Sequence, residues 1–283
     1  MAVKIISDST CDLSKDLLEK YDIAITPLTV TLGSRSGRDG TDITPEDIYA
    51  YVEKTGELSK TSAVSTGEYK QCFQYWRDLG FEIVHINISS KLSVSYQNAC
   101  TAAEEIGGVY PVDSENLSTG QGHLVLYAAE LARTGASAAE IAEACRKLAP
   151  RIESSFVAES IEYLKKGGRC SALAALGANL LHIRPCIEVS GGGMKPGKKY
   201  HGKIGHVIRS YVDDRLKDRG DIDTRRIFIT HTRCDEQVVE DIRTMIRFYF
   251  PEMEEIIETT AGATITTHCG PGTLGILFIR KAE

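Results

Sequence analysis

The sequence of 283 residues lacks the marks of several large protein classes. Its opening, "MAVKIISDST", is too short an apolar run for the core of a signal peptide, and no stretch approaches the ~18 consecutive apolar residues of a membrane span. The net charge of -6 argues against non-specific nucleic-acid binding, which relies on Lys and Arg to neutralise phosphates. We therefore expect a cytoplasmic protein without a nucleic-acid partner.

Metal-ligand and disulfide patterns are also missing. The eight cysteines are scattered without a CxxC pair, and no two histidines have the spacing of metal ligands on a helix. Most of the cysteines stand among apolar residues, where a thiol packs as a small hydrophobe. Free thiols in a reducing compartment are the natural interpretation, and we expect neither a metal nor a cofactor.

The fingerprints of nucleotide-binding and hydrolytic enzymes are absent as well. No GxGxxG follows the first predicted strand, and neither a Walker pattern nor GxSxG occurs. The glycine-rich, basic "GGGMKPGKK" follows a strand and is interpreted as a hairpin-like turn. A hydrolase with Ser93 or Ser95 as nucleophile and His268 as base stays an alternative, although the sequence does not place an orienting carboxylate beside them.

What is present is the alternation of an α/β protein. In the first half, strand-like runs such as "VKIIS" and "FEIVHINIS" alternate with helical segments of about 12 residues, which predicts βαβ units and a mostly parallel sheet. The strand-like "IAITPLTVTL" contains Pro27, which indicates an edge strand or an irregular one. Helices are predicted to start at the capping patterns of Thr44, Ser65 and Ser137.

The second half mixes strands and helices less regularly. This pattern predicts a second α/β domain with a mixed sheet, and we place the two domains at residues 1–151 and 152–283. Near its end, "THCGPGTLG" places His268 before three glycines, with strand-like residues on both sides. "KKGGRCS" places Lys165, Lys166 and Arg169 on a glycine turn, which suits either a helix carboxyl end or a docking point for an anionic partner or phosphate.

Hydroxyl side chains follow several of the predicted strands. "SDSTCD", "SSKLSVS" and "DSENLSTGQG" each come after a strand, and "KTSAVST" precedes a helix. The β-to-α turns of a parallel sheet lie at one edge, where helix amino termini present free backbone N–H groups. Such a cluster suits a carboxylate or phosphate, but serine and threonine are also common caps and turn residues. The residues alone leave both interpretations open.

Seven motifs in order resemble those of the DegV family, bacterial fatty-acid-binding proteins that serve fatty acid kinase. The motifs span residues 5 to 280 and are SDSTCDL, DGTDIT, KTS, SSKLS with SYQNA, DSENLSTGQG, YLKKGGR and HCGPGTLG. The resemblance implies two α/β domains with a lipid tunnel between or within them. "LAALGANLL", at 173–181, is a candidate wall segment of that tunnel.

The resemblance also implies a ligand, its contacts and a partner. The carboxylate of a long-chain fatty acid would be held by hydroxyls and one imidazole, at Thr61, Ser62, Ser93 and His268. Arg169 matches the arginine of the family's GGR motif, near the face offered to the kinase. The chain would be a carrier rather than an enzyme, because the partner kinase would transfer phosphate from ATP to the presented carboxyl group. Transient contact with a membrane surface is compatible with this role.

Several positions depart from the family pattern. Val94 stands where relatives commonly have the glycine of LSGTYQ, and Ala63 and Val64 replace the glutamine and proline of TSQP. His201 stands where many relatives have an arginine linked to kinase interaction, and histidine is mostly neutral at pH 7. We therefore expect acyl binding to persist and kinase docking to be weakened.

Two alternatives to the fatty-acid carrier are kept. One is an enzyme acting on a carboxylate or phosphate ester through Ser93 and His268. The other is a carrier of a different amphipathic carboxylate, because Val94 adds bulk beside the proposed carboxylate site.

Overall fold

The computed structural model describes residues 1–170 and 183–282. The strands are β1 (Val3–Asp8), β2 (Ala24–Thr26), β3 (Thr29–Leu32), β4 (Arg35–Arg38), β5 (Lys60–Ser62), β6 (Glu82–Asn87), β7 (Val109–Asp113), β8 (Ile152–Val157), β9 (Ile183–Ser190), β10 (Gly193–His201), β11 (Ile222–Thr232), β12 (Glu255–Thr260) and β13 (Thr273–Arg280). The helices are α1 (Lys15–Lys20), α2 (Pro45–Thr55), α3 (Thr66–Asp78), α4 (Ser95–Ile106), α5 (Ser118–Arg133), α6 (Ala138–Leu148), α7 (Glu162–Gly167), α8 (Ile204–Leu216), α9 (Glu236–Tyr249) and α10 (Ala263–Cys269). The candidate wall segment 173–181 lies outside the described residues.

A parallel sheet organises the first half, as the alternation predicts. Its strand order is β2-β1-β6-β7, and each neighbouring pair is parallel. Ile5 belongs to the core under α5 and α6, whereas the next residue, Ile6, packs with α3 and α4 on the opposite face. Successive side chains of a strand point to opposite faces, so a strand covered by helices on both sides is apolar at both positions.

Pro27 divides the strand-like run in which it stands. Before it, β2 forms an edge of the parallel sheet, and after it β3 forms the centre of a small antiparallel sheet with the order β4-β3-β5. The prediction of an edge or irregular strand is therefore confirmed. β4 was not anticipated, because its residues are largely exposed and carry no apolar alternation.

A mixed sheet organises the second half, which also confirms the prediction. Its order is β10-β9-β8-β13-β11-β12; β11 and β12 are parallel, and the other neighbours are antiparallel. One apolar core packs this sheet against α8 and α9. A second core joins Phe228 and Leu277 of the sheet to residues of α5 and α6. The domain limit at 151/152 stays a prediction, although β8 does begin at Ile152.

His268 lies in α10, a short helix that replaces the strand-like segment expected before the glycines. Four consecutive residues of α10 are β-branched, at 264–267, and such residues have weak helix propensity. A helix of seven residues is also too short to be stable alone, so its contacts with the rest of the fold must stabilise it. No helix within the described ranges combines the length and apolarity that a bilayer crossing requires.

Candidate ligand-binding site

Two side chains that are far apart in the sequence meet at the candidate site. Thr61 is the middle residue of β5, which pairs with β3, and its Oγ1 lies 2.8 Å from Nε2 of His268. Immediately beside them, Ser59 Oγ and Thr267 Oγ1 are 2.8 Å apart. The structure thus brings Thr61 and His268 together by placing β5 alongside α10.

The imidazole of His268 is held neutral by its surroundings. Burial, together with the nearby positive charge of Arg169, lowers the pKa of His268 from 6.5 to about 4. If Nε2 carries the single ring proton, it donates to Thr61 Oγ1, whose own proton is then free for an anionic acceptor. Nδ1 has no hydrogen-bond partner among the described residues.

Gly167, the last residue of α7, provides the space for this ring. A Cβ atom at Gly167 would lie 2.4 Å from His268 Nδ1, which is closer than non-bonded atoms approach. The glycine is needed for this close contact rather than for its backbone angles, because a positive φ is found at Gly168 and not at Gly167. The first glycine of the GGR motif therefore acts on the site through His268.

The proposed site residues line a central cavity with a polar rim. Thr61, Ser93, Arg169 and His268 border it together, and its volume is about 40 Å³. Ser62 is exposed, because the side chain that follows Thr61 along β5 points to the opposite face. Three of the four residues expected to hold the carboxylate are thus brought to one cavity, and Ser62 is not.

Two further cavities adjoin the central one. An outer cavity of about 490 Å³ shares Leu92, Ser93 and Arg169 with it and also includes Lys91. An inner cavity of about 30 Å³ shares Leu117, Ile265 and Cys269 with the central one. The central cavity thus shares wall residues with each of the other two, which is the connectivity that a tunnel would need. At ~10–15 Å³ per water on this measure, the inner two hold only a few waters each.

Ser93 and Val94 directly precede α4, beside the outer cavity. Ser93 Oγ lies 2.9 Å from Ser95 Oγ and accepts a hydrogen bond from Ser95 N at 3.2 Å. Val94 has φ -79°, so it needs no glycine, and its side chain is 63% exposed. Val94 borders the outer cavity but not the central one, so its extra bulk stays outside the central cavity.

The geometry does not support the hydrolase alternative. Ser93 and Ser95 bond to each other, while His268 Nε2 bonds to Thr61. His268 Nδ1 has no carboxylate partner in the ranges described, whereas a serine hydrolase needs all three groups in contact. The same ranges contain no group of three His, Cys, Asp or Glu side chains arranged to hold a metal.

Most of the hydroxyl loops form internal bonds rather than a ligand site. Asp8, at the end of β1, accepts hydrogen bonds from Thr10, Gln121 and the backbone of Ile88. Burial raises the pKa of Asp8, and these bonds oppose the rise. The carboxylate of Asp8 is therefore occupied by bonds within the protein.

The two candidate docking residues occupy different places. Arg169 is exposed at the rim shared by the central and outer cavities, and its Nη1 donates to Gly167 O at 2.7 Å. His201 is exposed at the end of β10, where it pairs with Ile183 across the strand. A role of position 201 in docking a kinase stays a prediction.

Three residues that contact α10 were not singled out from the sequence: Ser59, Gly167 and Asp39, whose carboxylate accepts a hydrogen bond from Ala263 N at 2.8 Å. Ser59 directly precedes the KTS motif, Gly167 belongs to GGR, and Asp39 begins DGTDIT. Each of the three thus lies in or beside one of the motifs. Only the contacts show which residue of each segment acts on α10.

Comparisons with known proteins agree with this architecture. A family model described as "Uncharacterised protein, DegV family" matches residues 2–281. A "Fatty acid-binding protein" of Thermotoga maritima is 32% identical over 286 residues, covering 97% of this chain and 96% of the relative.

Solved structures are similar over the same extent. A Thermus thermophilus DegV family protein, described by its fatty acid binding, has a TM-score of 0.89 at 27% identity, covering 99% of this chain and 100% of its own. The Streptococcus pneumoniae Fatty Acid Kinase (Fak) B3 protein, loaded with linoleic acid, has a TM-score of 0.82 at 22% identity, with 99% of each chain covered, and shows the same fold. Because the family model and these relatives match nearly the whole chain, it belongs to the DegV family.

Proposed function

We propose that this protein is a carrier of long-chain fatty acids that buries the acyl chain and presents the carboxylate at the central cavity. The observation that carries the proposal is the Thr61–His268 pair at the rim of a cavity that continues inward past Leu117 and Ile265. Its support from relatives is the naming of the Thermotoga maritima and Thermus thermophilus proteins for fatty acid binding.

The rim supplies what a carboxylate needs. A carboxylate is an acceptor of hydrogen bonds only, and leaving it unpaired in a desolvated place is costly. The hydroxyls of Thr61 and Ser93 act as donors, His268 polarises Thr61, and Arg169 adds a positive charge at the solvent side. Since His268 stays neutral, the attraction comes from oriented donors and one exposed cation rather than from a buried charge pair.

The acyl chain provides the driving force for binding. Burying the 14 methylenes of palmitate is worth roughly 11 kcal/mol at ~0.8 kcal/mol each, before the costs of immobilising ligand and side chains are subtracted. The small inner cavity means that the walls must separate to admit the chain, which adds to those costs. We therefore expect the net binding free energy to be much smaller than the free energy gained by burying the methylenes.

The partner in this proposal is a fatty acid kinase, and the chain itself performs no catalysis. The kinase would approach the outer cavity, whose edge carries Lys91 and Arg169, and would transfer phosphate from ATP to the presented carboxylate. These two cations suit the negative charge of a phosphoryl group at the moment of transfer. The protein would act in the cytoplasm, where ATP is available.

Mass spectrometry of the purified protein tests the carrier function, first under native conditions and then after organic extraction. We expect a bound ligand with the mass of a C14–C18 fatty acid, lost in His268→Ala and retained in the control Ser62→Ala, because Ser62 is exposed. A different amphipathic carboxylate would change the ligand but not the role. A protein that stays ligand-free with added palmitate or oleate would refute the proposal.

A further inference from the structure

We infer that Asp39 and Asp12 are positioning residues of this site: they hold the first turn of α10 and thereby set where His268 faces Thr61. The inference rests on the proposed function, since the site is taken to bind a carboxylate. It concerns residues that belong to the SDSTCDL and DGTDIT motifs and do not border the central cavity.

The two carboxylates bind three consecutive amides at the start of α10. Asp12 Oδ1 accepts from Gly262 N at 2.8 Å. Asp39 accepts from Ala263 N at 2.8 Å and from Thr264 N at 3.2 Å, one bond to each oxygen. The first N–H groups of a helix have no partner inside the helix, so these bonds satisfy groups that would otherwise be left unpaired.

Both carboxylates are themselves held in place by other parts of the chain. Asp39 is 4% exposed and accepts from Ser9 Oγ at 2.8 Å, and Ser9 Oγ also accepts from Leu28 N at 3.1 Å. Asp12 is 6% exposed and accepts from Ser118 Oγ at 2.5 Å. The loops after β1 and β4 and the start of α5 thus converge on one short helix.

This arrangement is costly, which indicates a purpose beyond ordinary capping. Burial raises the pKa of Asp39, and it raises the pKa of Asp12 to about 8. The two groups also stand close together: a Cβ atom at Gly262 would lie 3.1 Å from an oxygen of Asp12 and 3.3 Å from one of Asp39. Common caps are single serine or aspartate side chains at the surface, and they satisfy a helix without burying two carboxylates.

The position of the first turn is transmitted to His268 because α10 is short. Seven residues at 1.5 Å each make a helix about 10 Å long, so a tilt at one end moves the other. The Thr61–His268 bond of 2.8 Å is lost by about 3.6 Å, so a shift of less than 1 Å suffices. Ser59 contacts the carboxyl end of α10, beside His268, through its hydrogen bond with Thr267. Replacing Ser59 should therefore disturb the position of His268 more mildly.

The alternative is that these aspartates only stabilise the fold. The two roles differ in their effect on head-group discrimination, measured as the Kd of methyl palmitate divided by the Kd of palmitate. Loss of stability alone weakens both ligands alike, since both carry the same acyl chain. Misplacement of His268 weakens the acid and spares the ester.

The experiment measures both Kd values on delipidated full-length protein, by displacement of a fluorescent fatty acid, for Asp39→Asn, Asp12→Asn and Ser59→Ala. Glu140→Gln is the matched control: Glu140 accepts from Ser137 N at 2.9 Å as the partner of the N-cap residue Ser137 at the start of α6. We expect Asp39→Asn to raise the palmitate Kd about tenfold and to change the ester Kd less than threefold, because a displaced His268 loses its hydrogen bond to Thr61, which supports the carboxylate only. The control should leave the ratio unchanged, and Ser59→Ala should lower it by a smaller factor.

A ligand-free measurement keeps the inference separate from the proposed function. The imidazole nitrogen shifts of His268, followed by NMR, should move in Asp39→Asn and stay in place in Glu140→Gln. Wild-type protein that binds neither palmitate nor its ester would refute the carrier function, and the NMR result alone would then decide the positioning role. An unchanged ratio or unchanged His268 shifts in folded Asp39→Asn would overturn the inference; if that variant fails to fold, the same outcome in Ser59→Ala and Asp12→Asn would do so.

Discussion

Replacing Gly167 by alanine should disable the site through a steric clash between the new Cβ atom and the His268 ring. The added Cβ would lie 2.4 Å from His268 Nδ1 and 3.3 Å from Cε1. The backbone itself tolerates the change, since Gly167 closes α7 without a positive φ and alanine favours a helix by roughly 0.5–1 kcal/mol over glycine. The effect is therefore steric and local to the imidazole.

The expected magnitude follows from these distances. Non-bonded heavy atoms prefer a separation of about 3.5 Å, so the ring has to move by about 1 Å. A movement of that size breaks the 2.8 Å bond to Thr61 unless β5 follows. Losing a hydrogen bond that supports a carboxylate costs about 1.5–3 kcal/mol, which corresponds to a Kd raised by roughly 10- to 150-fold.

Gly168→Ala is the matched control, one residue along the same turn. Gly168 has φ +68°, and no atom lies within 4 Å of the position that a Cβ would take. Alanine there costs about 1–2 kcal/mol of stability through backbone strain but does not touch His268. Fatty-acid Kd and urea unfolding would be measured for both variants. An unchanged Kd in Gly167→Ala, or an equal loss of affinity in Gly168→Ala, would refute the steric reasoning.

Three further predictions follow from single positions. Val94→Gly should leave the fatty-acid Kd within about twofold, because Val94 is 63% exposed; a large rise in titration experiments would show that it reaches the ligand. His201→Arg should raise phosphorylation of bound fatty acid by a cognate kinase, and an unchanged rate would remove position 201 from docking. Burial lowers the pKa of His85 from 6.5 to about 4, so the unfolded state takes up a proton as pH falls below 6.5 while the folded state does not. Relative to His85→Gln, the wild type should therefore lose up to about 2 kcal/mol of unfolding free energy between pH 7 and pH 5. The measurement is urea unfolding of both proteins at pH 7 and pH 5. An equal loss of unfolding free energy in the two proteins would contradict this prediction.

The elements that could be predicted from the sequence depend on short-range contacts. The capping patterns at Thr44, Ser65 and Ser137 are each realised as a reciprocal pair of bonds with the residue three positions later. The apolar strands and intervening helices likewise produced a parallel sheet and then a mixed one. A cap or an alternation involves neighbours only, so it holds wherever the segment is placed.

The site depended on contacts that no local pattern contains. Thr61 and His268 are 207 residues apart, and nothing in either segment specifies that β5 lies beside α10. Because successive side chains of β5 point to opposite faces, Thr61 borders the cavity and Ser62 does not.

The motifs therefore mark segments that border or adjoin the central cavity, and the tertiary structure shows which residues of those segments are in contact. By itself, the sequence determined the α/β class, the capped helices and a set of segments that meet at the central cavity. Only the packing of α10 against the first half decided which side chains meet, because Asp12 and Asp39 bind its first amides and Thr61 meets its His268. A helix of seven residues with four β-branched positions depends on such contacts.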